Sequence, residues 1–132
     1  MPKTLGRDEV LILDMDAGVE HLGRGTAQGV DAFIIVVEPG QRSFQTARAV
    51  RKYALGLGVS HCFIVASKTN NESARQFIKE HLPDYEILGF MDFDADLLHA
   101  DAQGSNVYHS APRSATEAQQ IKNKLEELFA NR

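Results

Sequence analysis

The sequence has one cysteine, no tryptophan, four prolines and no apolar run near the ~20 residues that a membrane-spanning helix needs. Each shortage removes a class of protein. A lone thiol, Cys62, cannot form an internal disulfide, so a disulfide-stapled module is excluded and a reducing compartment is expected. Residues 1–10, MPKTLGRDEV, hold no apolar core of signal-peptide length, which adds to the expectation of a cytoplasmic location. Positive charge is also in deficit: 14 Lys and Arg face 18 Asp and Glu, a formal charge of −4. A general nucleic-acid binder needs the opposite balance to displace phosphate counterions, so neither nucleic acid nor membrane is an expected partner. Pro-rich tracts and internal repeats are missing, and 43% of residues are hydrophobic, as in an ordinary globular chain. At 132 residues it reads as a single domain, 1–132, long enough to bury roughly two-thirds of its unfolded surface.

What is present is an alternation of short apolar runs and helical stripes. Residues 9–13 (EVLIL), 33–37 (FIIVV) and 62–66 (CFIVA) lack polar alternation and read as strands covered on both faces; 85–90 (YEILGF) is a weaker fourth. Between the second and third runs, Phe44, Ala47, Val50, Ala54 and Leu57 share one helical face, and Gly58 follows as a left-handed stop. Asn70 and Asn71 are candidate caps for the next helix, which Pro83 ends. Ser114 and Glu117 stand at capping-box spacing before a stripe of Ala118, Ile121, Leu125, Leu128 and Phe129, predicting a terminal helix. This order predicts an α/β fold with a parallel sheet of about four strands flanked by helices.

In such sheets ligands sit at the C-terminal ends of the strands. The residues found there are Asp14, Asp16 and Gly18 after the first run, Glu38, Pro39 and Gly40 after the second, Ser67, Lys68 and Asn70 after the third, and Asp92 and Asp94 after the fourth. An Asp ending an apolar strand can orient the water shell of magnesium, a hard ion that keeps much of its hydration. Gly18 would let backbone amides approach a terminal phosphate. Asp14 and Asp16 serve equally well as turn caps, and spacing alone does not choose.

Residues 11–59, beginning LILDMDAGVEHLGRG and running through the VVEP strand to its helix, resemble the CooC family, MinD-like deviant P-loop ATPases that assist nickel insertion into carbon monoxide dehydrogenase. The matching positions are Asp14, Asp16, Ala17, Gly18, Glu20, His21, Arg24, Gly25, Asp31, Glu38, Pro39 and Ser43. LGFMDFDADLLHADAQGSNVY, residues 88–108, resembles the family segment that follows its last core strand and helps hold adenine. The resemblance implies a phosphoryl-transfer fold using ATP and magnesium. Asp14, Asp16 and Gly18 would form the nucleotide and magnesium switch, and Ser67, Lys68, Asp92, Phe93 and Asp94 would line the base. Glu20, His21 and Arg24 would contact a partner, either a second copy in a homodimer or carbon monoxide dehydrogenase as client.

Departures are equally specific. No Gly-rich phosphate loop with its lysine occurs in the sequence, so hydrolysis by these residues alone is not expected. Ser67 replaces the family's Asn and Asp92 its Pro, while Lys68, Phe93 and Asp94 match. The interfacial Cys-x-Cys metal pair of some members cannot be formed by one cysteine, so no metal site is expected. Two readings follow: the C-terminal part of a longer ATPase, or a degenerate relative that keeps an interaction surface without catalysis. Without the strand that precedes the phosphate loop, Val10–Leu13 would pair with Phe33–Val37 directly, or a second chain would complete the sheet.

Other candidates have plainer explanations. The five histidines, at 21, 61, 81, 99 and 109, include no pair at helical chelating spacing and read as solvated or capping groups. Arg42, Arg48, Arg51 and Lys52 form a cationic helix face that reads as solvated surface. VLILDMD also resembles the first strand of response-regulator receivers. A receiver needs an Asp ending its middle strand, however, and the second and third runs end in Glu38 and Ser67.

Overall fold

The computed structural model describes residues 10–13, 30–92, 94–104 and 106–130, with positions 97, 107, 108 and 130 described by their backbone alone. Its elements are β1 (Phe33–Val37), α1 (Gln41–Gly56), β2 (Cys62–Ser67), α2 (Glu72–His81), β3 (Glu86–Met91), α3 (Ala95–Gln103), α4 (Val107–Ser110) and α5 (Pro112–Ala130). The strands form one parallel sheet in the order β1-β2-β3, so each crossover carries a helix. This is the expected α/β architecture, with three strands among the described residues against about four predicted.

The difference lies in the first apolar run. Val10–Leu13 form no strand, make no pairing with β1, and are each 46% to 84% exposed. A strand is stabilised by a ladder partner and covered faces, so four apolar residues do not make one unaided.

Each face of the sheet has its own cover. On one, Phe33, Ile35 and Val37 of β1 with Ile64 and Ala66 of β2 pack against Phe44, Ala47, Val50 and Ala54 of α1 and Ile78 of α2. On the other, Phe63 and Val65 of β2 and Leu88 of β3 meet Ile121, Leu125, Leu128 and Phe129 of α5. The predicted α5 stripe is right except for Ala118, which is exposed. A register irregularity opposite Ile64 and Val65 places both Leu88 and Gly89 towards α5; a Cβ on Gly89 would lie 2.7 Å from Ile121. The helix and β3 therefore approach too closely there for a larger residue to fit without displacement.

Helix ends follow local chemistry. α1 stops where Gly58 takes φ 85°: its N–H bonds Leu55 O at 3.1 Å, and Val59 N–H reaches back to Ala54 O at 2.9 Å. Asn71, not Asn70, caps α2, accepting from Ala74 N–H at 2.8 Å. α5 begins at Pro112, two positions before Ser114, so the predicted capping box does not form.

Two solvated readings are corrected. Arg48 donates to His81 O at 2.7 Å and the Arg51 guanidinium lies 4.5 Å over the Tyr85 ring, so both hold the α2–β3 turn. His81 stacks on Phe44, meets Phe77 at a tilt and keeps a helix-end bond between its Nδ1 and Phe77 O at 2.9 Å, while His61 stacks on Phe63 and meets Phe129 edge-on. These two histidines extend the apolar packing.

Candidate functional site

Parallel strands with helical crossovers bring Glu38, Ser67, Lys68, Asp92 and Asp94 to the same edge of the sheet. Ser67 ends β2 opposite Met91 of β3, and Val37 is in register with Ala66. Lys68 follows with φ 57°, the only non-glycine residue in the left-handed region among those described. Its Nζ pairs with Glu38 Oε1 at 2.7 Å across the ends of β1 and β2, with both side chains mostly exposed. Glu38 is fixed in turn by its N–H, which donates to Ser43 Oγ at 3.0 Å in the first turn of α1.

The β3 end is more firmly held. Thr69 is fully buried, and its hydroxyl donates to Asp92 Oδ1 at 2.8 Å. Arg75, one turn into α2, donates to Asp92 Oδ2 at 2.7 Å, and Asp92 N–H donates to Glu117 Oε2 of α5 at 3.1 Å. Burial works against the Asp92 charge, but hydrogen bonds from Arg75 and Thr69 and the positive charges of Arg75 and Arg113 prevail, holding the carboxyl below its usual range. The bond to Asp92 raises Arg75 further above its ordinary value. Two atoms of this cluster, Arg75 Nε and Glu117 Oε1, are buried without a hydrogen-bond partner.

Asp94 serves a structural purpose too. Its Oδ1 accepts from Asp96 N–H at 2.9 Å, capping α3, and its Oδ2 accepts from Ser114 Oγ at 2.8 Å. Ser114 and Glu117, which look like a local capping box, are therefore long-range ties from α5 to the β3–α3 turn.

Of the sequence-predicted base-side residues, Ser67, Lys68, Asp92 and Asp94 thus share one edge. Asp92 and Asp94 have their carboxylate oxygens engaged by protein donors, which leaves Ser67, half-buried, and Lys68, mostly exposed and paired with Glu38, as the remaining described members of the set. Phe93 lies outside the described residues, as do Asp14, Asp16, Gly18, Glu20, His21 and Arg24. Thr69 and Arg75 escaped the sequence reading, and Glu117 entered it only as half of a local capping box. For Thr69 and Arg75 the only sequence signal is an Arg one turn after a strand-end loop, which is too common to identify anything.

Elsewhere, an open depression of about 320 Å³ along α5 is lined by Pro112, Ala115, Thr116, Gln119 and Gln120, none of them a predicted site residue. Cys62 opens β2, half-buried, with its thiol pushed up by burial against the opposing charge of Arg51. Among the described residues, no three His, Cys, Asp or Glu side chains converge as a metal site. No helix among them is long and apolar enough to cross a membrane.

No protein-family model matches the chain. Curated relatives do. An uncharacterised ATP-binding protein of Methanocaldococcus jannaschii is 37% identical over 127 residues, covering 94% of this chain and 49% of that protein. The carbon monoxide dehydrogenase accessory protein CooC of Rhodospirillum rubrum is 38% identical over 106 residues, covering 80% of this chain and 40% of that protein. The chain thus spans no more than about half the length of these relatives. Among solved structures, the MinD cell division protein of Aquifex aeolicus superposes with a TM-score of 0.66 at 17% identity, covering 86% of this chain and 50% of that one. MinD in its complex with MinC, from the same organism, gives 0.58 at 19% identity. These two establish the fold.

Proposed function

We propose that the chain, which is similar over 80% of its length to the carbon monoxide dehydrogenase accessory protein CooC, corresponds to the C-terminal portion of a CooC-type, MinD-like ATPase and serves nickel insertion into carbon monoxide dehydrogenase. The identity to the Rhodospirillum rubrum accessory protein carries this reading, and the meeting of Ser67, Lys68, Asp92 and Asp94 at one sheet edge supports it. In a complete nucleotide site, Ser67 and Lys68 hold the base side, with Asp92 and Asp94 shaping the turns beneath. The exposed ammonium of Lys68, beside polar turns, suits a nucleotide's polar face. Asp14 orders the magnesium shell, Asp16 faces the switch and Gly18 meets the terminal phosphate. MgATP supplies the phosphoryl group and its charge-balancing ion when bound. Glu20, His21 and Arg24 contact the second copy or the client.

A second reading has its own observation. The sequence holds no phosphate loop, while β1 presents Ile34 and Val36, 45% and 64% exposed, on the face that α5 leaves bare. On this reading the chain is an interaction module that keeps the family's surface without hydrolysis. Calorimetric titration with MgATP separates the two. A dissociation constant at or below ~100 μM, about 5.5 kcal/mol, upholds nucleotide binding. A folded chain that releases no heat with MgATP overturns it in favour of the interaction module.

A further inference from the structure

Asp92 joins three separate parts of the chain: the β2–α2 turn through Thr69, the body of α2 through Arg75, and α5 through Glu117. We propose that Thr69, Arg75 and Glu117 are positioning residues that act through Asp92 to lock the Ser67–Lys68 turn against the start of α3. The base-facing wall is then assembled before any ligand arrives. This rests on the base-site reading above.

Three observations carry it. First, Lys68 sits in a backbone region that residues other than glycine, Asn and Asp avoid, and such a conformation persists only where its surroundings over-determine it. Here Thr69 does so on one side: it is fully buried, its N–H bonds Met91 O at 3.4 Å and its hydroxyl is taken by Asp92. The Glu38 pair does so on the other. Second, the same short segment of chain, from Asp92 to Asp94, receives α5 twice, at Glu117 and at Ser114. With Arg75 of α2 on Asp92 from the opposite face, the β3–α3 turn is held from both sides of the sheet. Third, Arg75 Nε and Glu117 Oε1 are buried without partners, an arrangement unfavourable for stability and consistent with residues kept for geometry.

The test uses the 132-residue chain. Amide hydrogen exchange is followed in the wild type and in Thr69→Val, Arg75→Met and Arg75→Lys, together with calorimetric titration of each with MgATP. Thr69→Val should speed exchange by about tenfold, the size of one hydrogen bond to a charged group, both at Lys68–Asn70 and at the start of α3. Exchange in β2 should not change, which shows that the fold is intact. MgATP affinity should fall by a similar factor in Thr69→Val and Arg75→Met, and Arg75→Lys should recover most of it. Faster exchange confined to the β2–α2 turn overturns the proposal, because the two turns are then uncoupled. Coupled exchange with unchanged MgATP affinity overturns it as well. A wild-type chain that fails to bind MgATP refutes the base-site reading and takes this inference with it, a result distinct from loss in the variants alone.

Discussion

β1 and β2 lie side by side, in register, with nearly the same composition: FIIVV against CFIVAS. Yet β2 buries four consecutive residues, Phe63 to Ala66, whereas β1 alternates, burying Phe33, Ile35 and Val37 and exposing Ile34 and Val36. The cause is position. Among the described residues β2 has a strand on each side, α1 and α2 on one face and α5 on the other, whereas β1 has one neighbouring strand and α5 does not reach its second face. An unbroken apolar run thus records what a strand is suited to bury, and its neighbours decide how much of that is realised.

The sharpest way to break the comparison uses one residue type on both strands. Ile64→Ala removes a fully buried side chain between helices and should cost about 2–5 kcal/mol in urea unfolding. Ile34→Ala on β1 removes a half-exposed one and should stay below about 1 kcal/mol. Equal losses would show that the bare face of β1 is covered in solution.

The strand ends differ in the same sense. β2 and β3 are joined by the part-buried Asp92 cluster, β1 and β2 by the exposed Lys68–Glu38 pair. Asp92→Asn should cost about 1–2 kcal/mol near neutral pH, because it weakens bonds to a charged partner; Glu38→Gln should cost at most about 1 kcal/mol. The pH dependence gives a separate check. The Asp92 carboxyl is held below its usual range in the folded chain, so its contribution is fully present above the unfolded carboxyl's value, about 3.9, and is lost as pH falls through the lower folded value. The stability gap between wild type and Asp92→Asn should therefore stay level from pH 7 to about pH 5 and narrow below about pH 4. A gap that is flat throughout would mean that the Asp92 charge contributes nothing.

The same contrast explains what could be read in advance. Strand and helix order was legible because Phe44, Ala47, Val50 and Ala54 repeat at helical spacing and the apolar runs between turns have strand length. Stops such as Gly58 and caps such as Asn71 were legible because they act within a few residues. Failures came where a partner is distant in sequence. Ser114 and Glu117 have the spacing of a local cap, but Asp94 and Asp92 claim them across the fold. Val10–Leu13 has the composition of a strand and, among the described residues, no neighbour that would make it one. Of the base-side set, Ser67, Lys68, Asp92 and Asp94 share the C-terminal edge, yet the carboxylates of Asp92 and Asp94 are bound by protein, through Thr69, Arg75, Ser114 and the Asp96 N–H.

The smallest effect on stability tests the bare face of β1 most directly. Ile34 and Val36 point away from α1 and α2, so replacing both with lysine removes no contact of the described core and should shift unfolding by no more than about 0.5 kcal/mol. Association is where the change should be felt. Two adjacent branched side chains beside the open edge of β1 form an apolar surface of the kind that recruits a second chain, and paired lysines on such an edge oppose it. Sedimentation velocity should then show the double variant less associated than wild type at equal concentration, with the difference growing as salt is lowered and lysine repulsion strengthens. An unchanged sedimentation profile would mean that β1 stays bare in the isolated chain, and that the apolar character of Ile34 and Val36 serves a contact made by a different polypeptide.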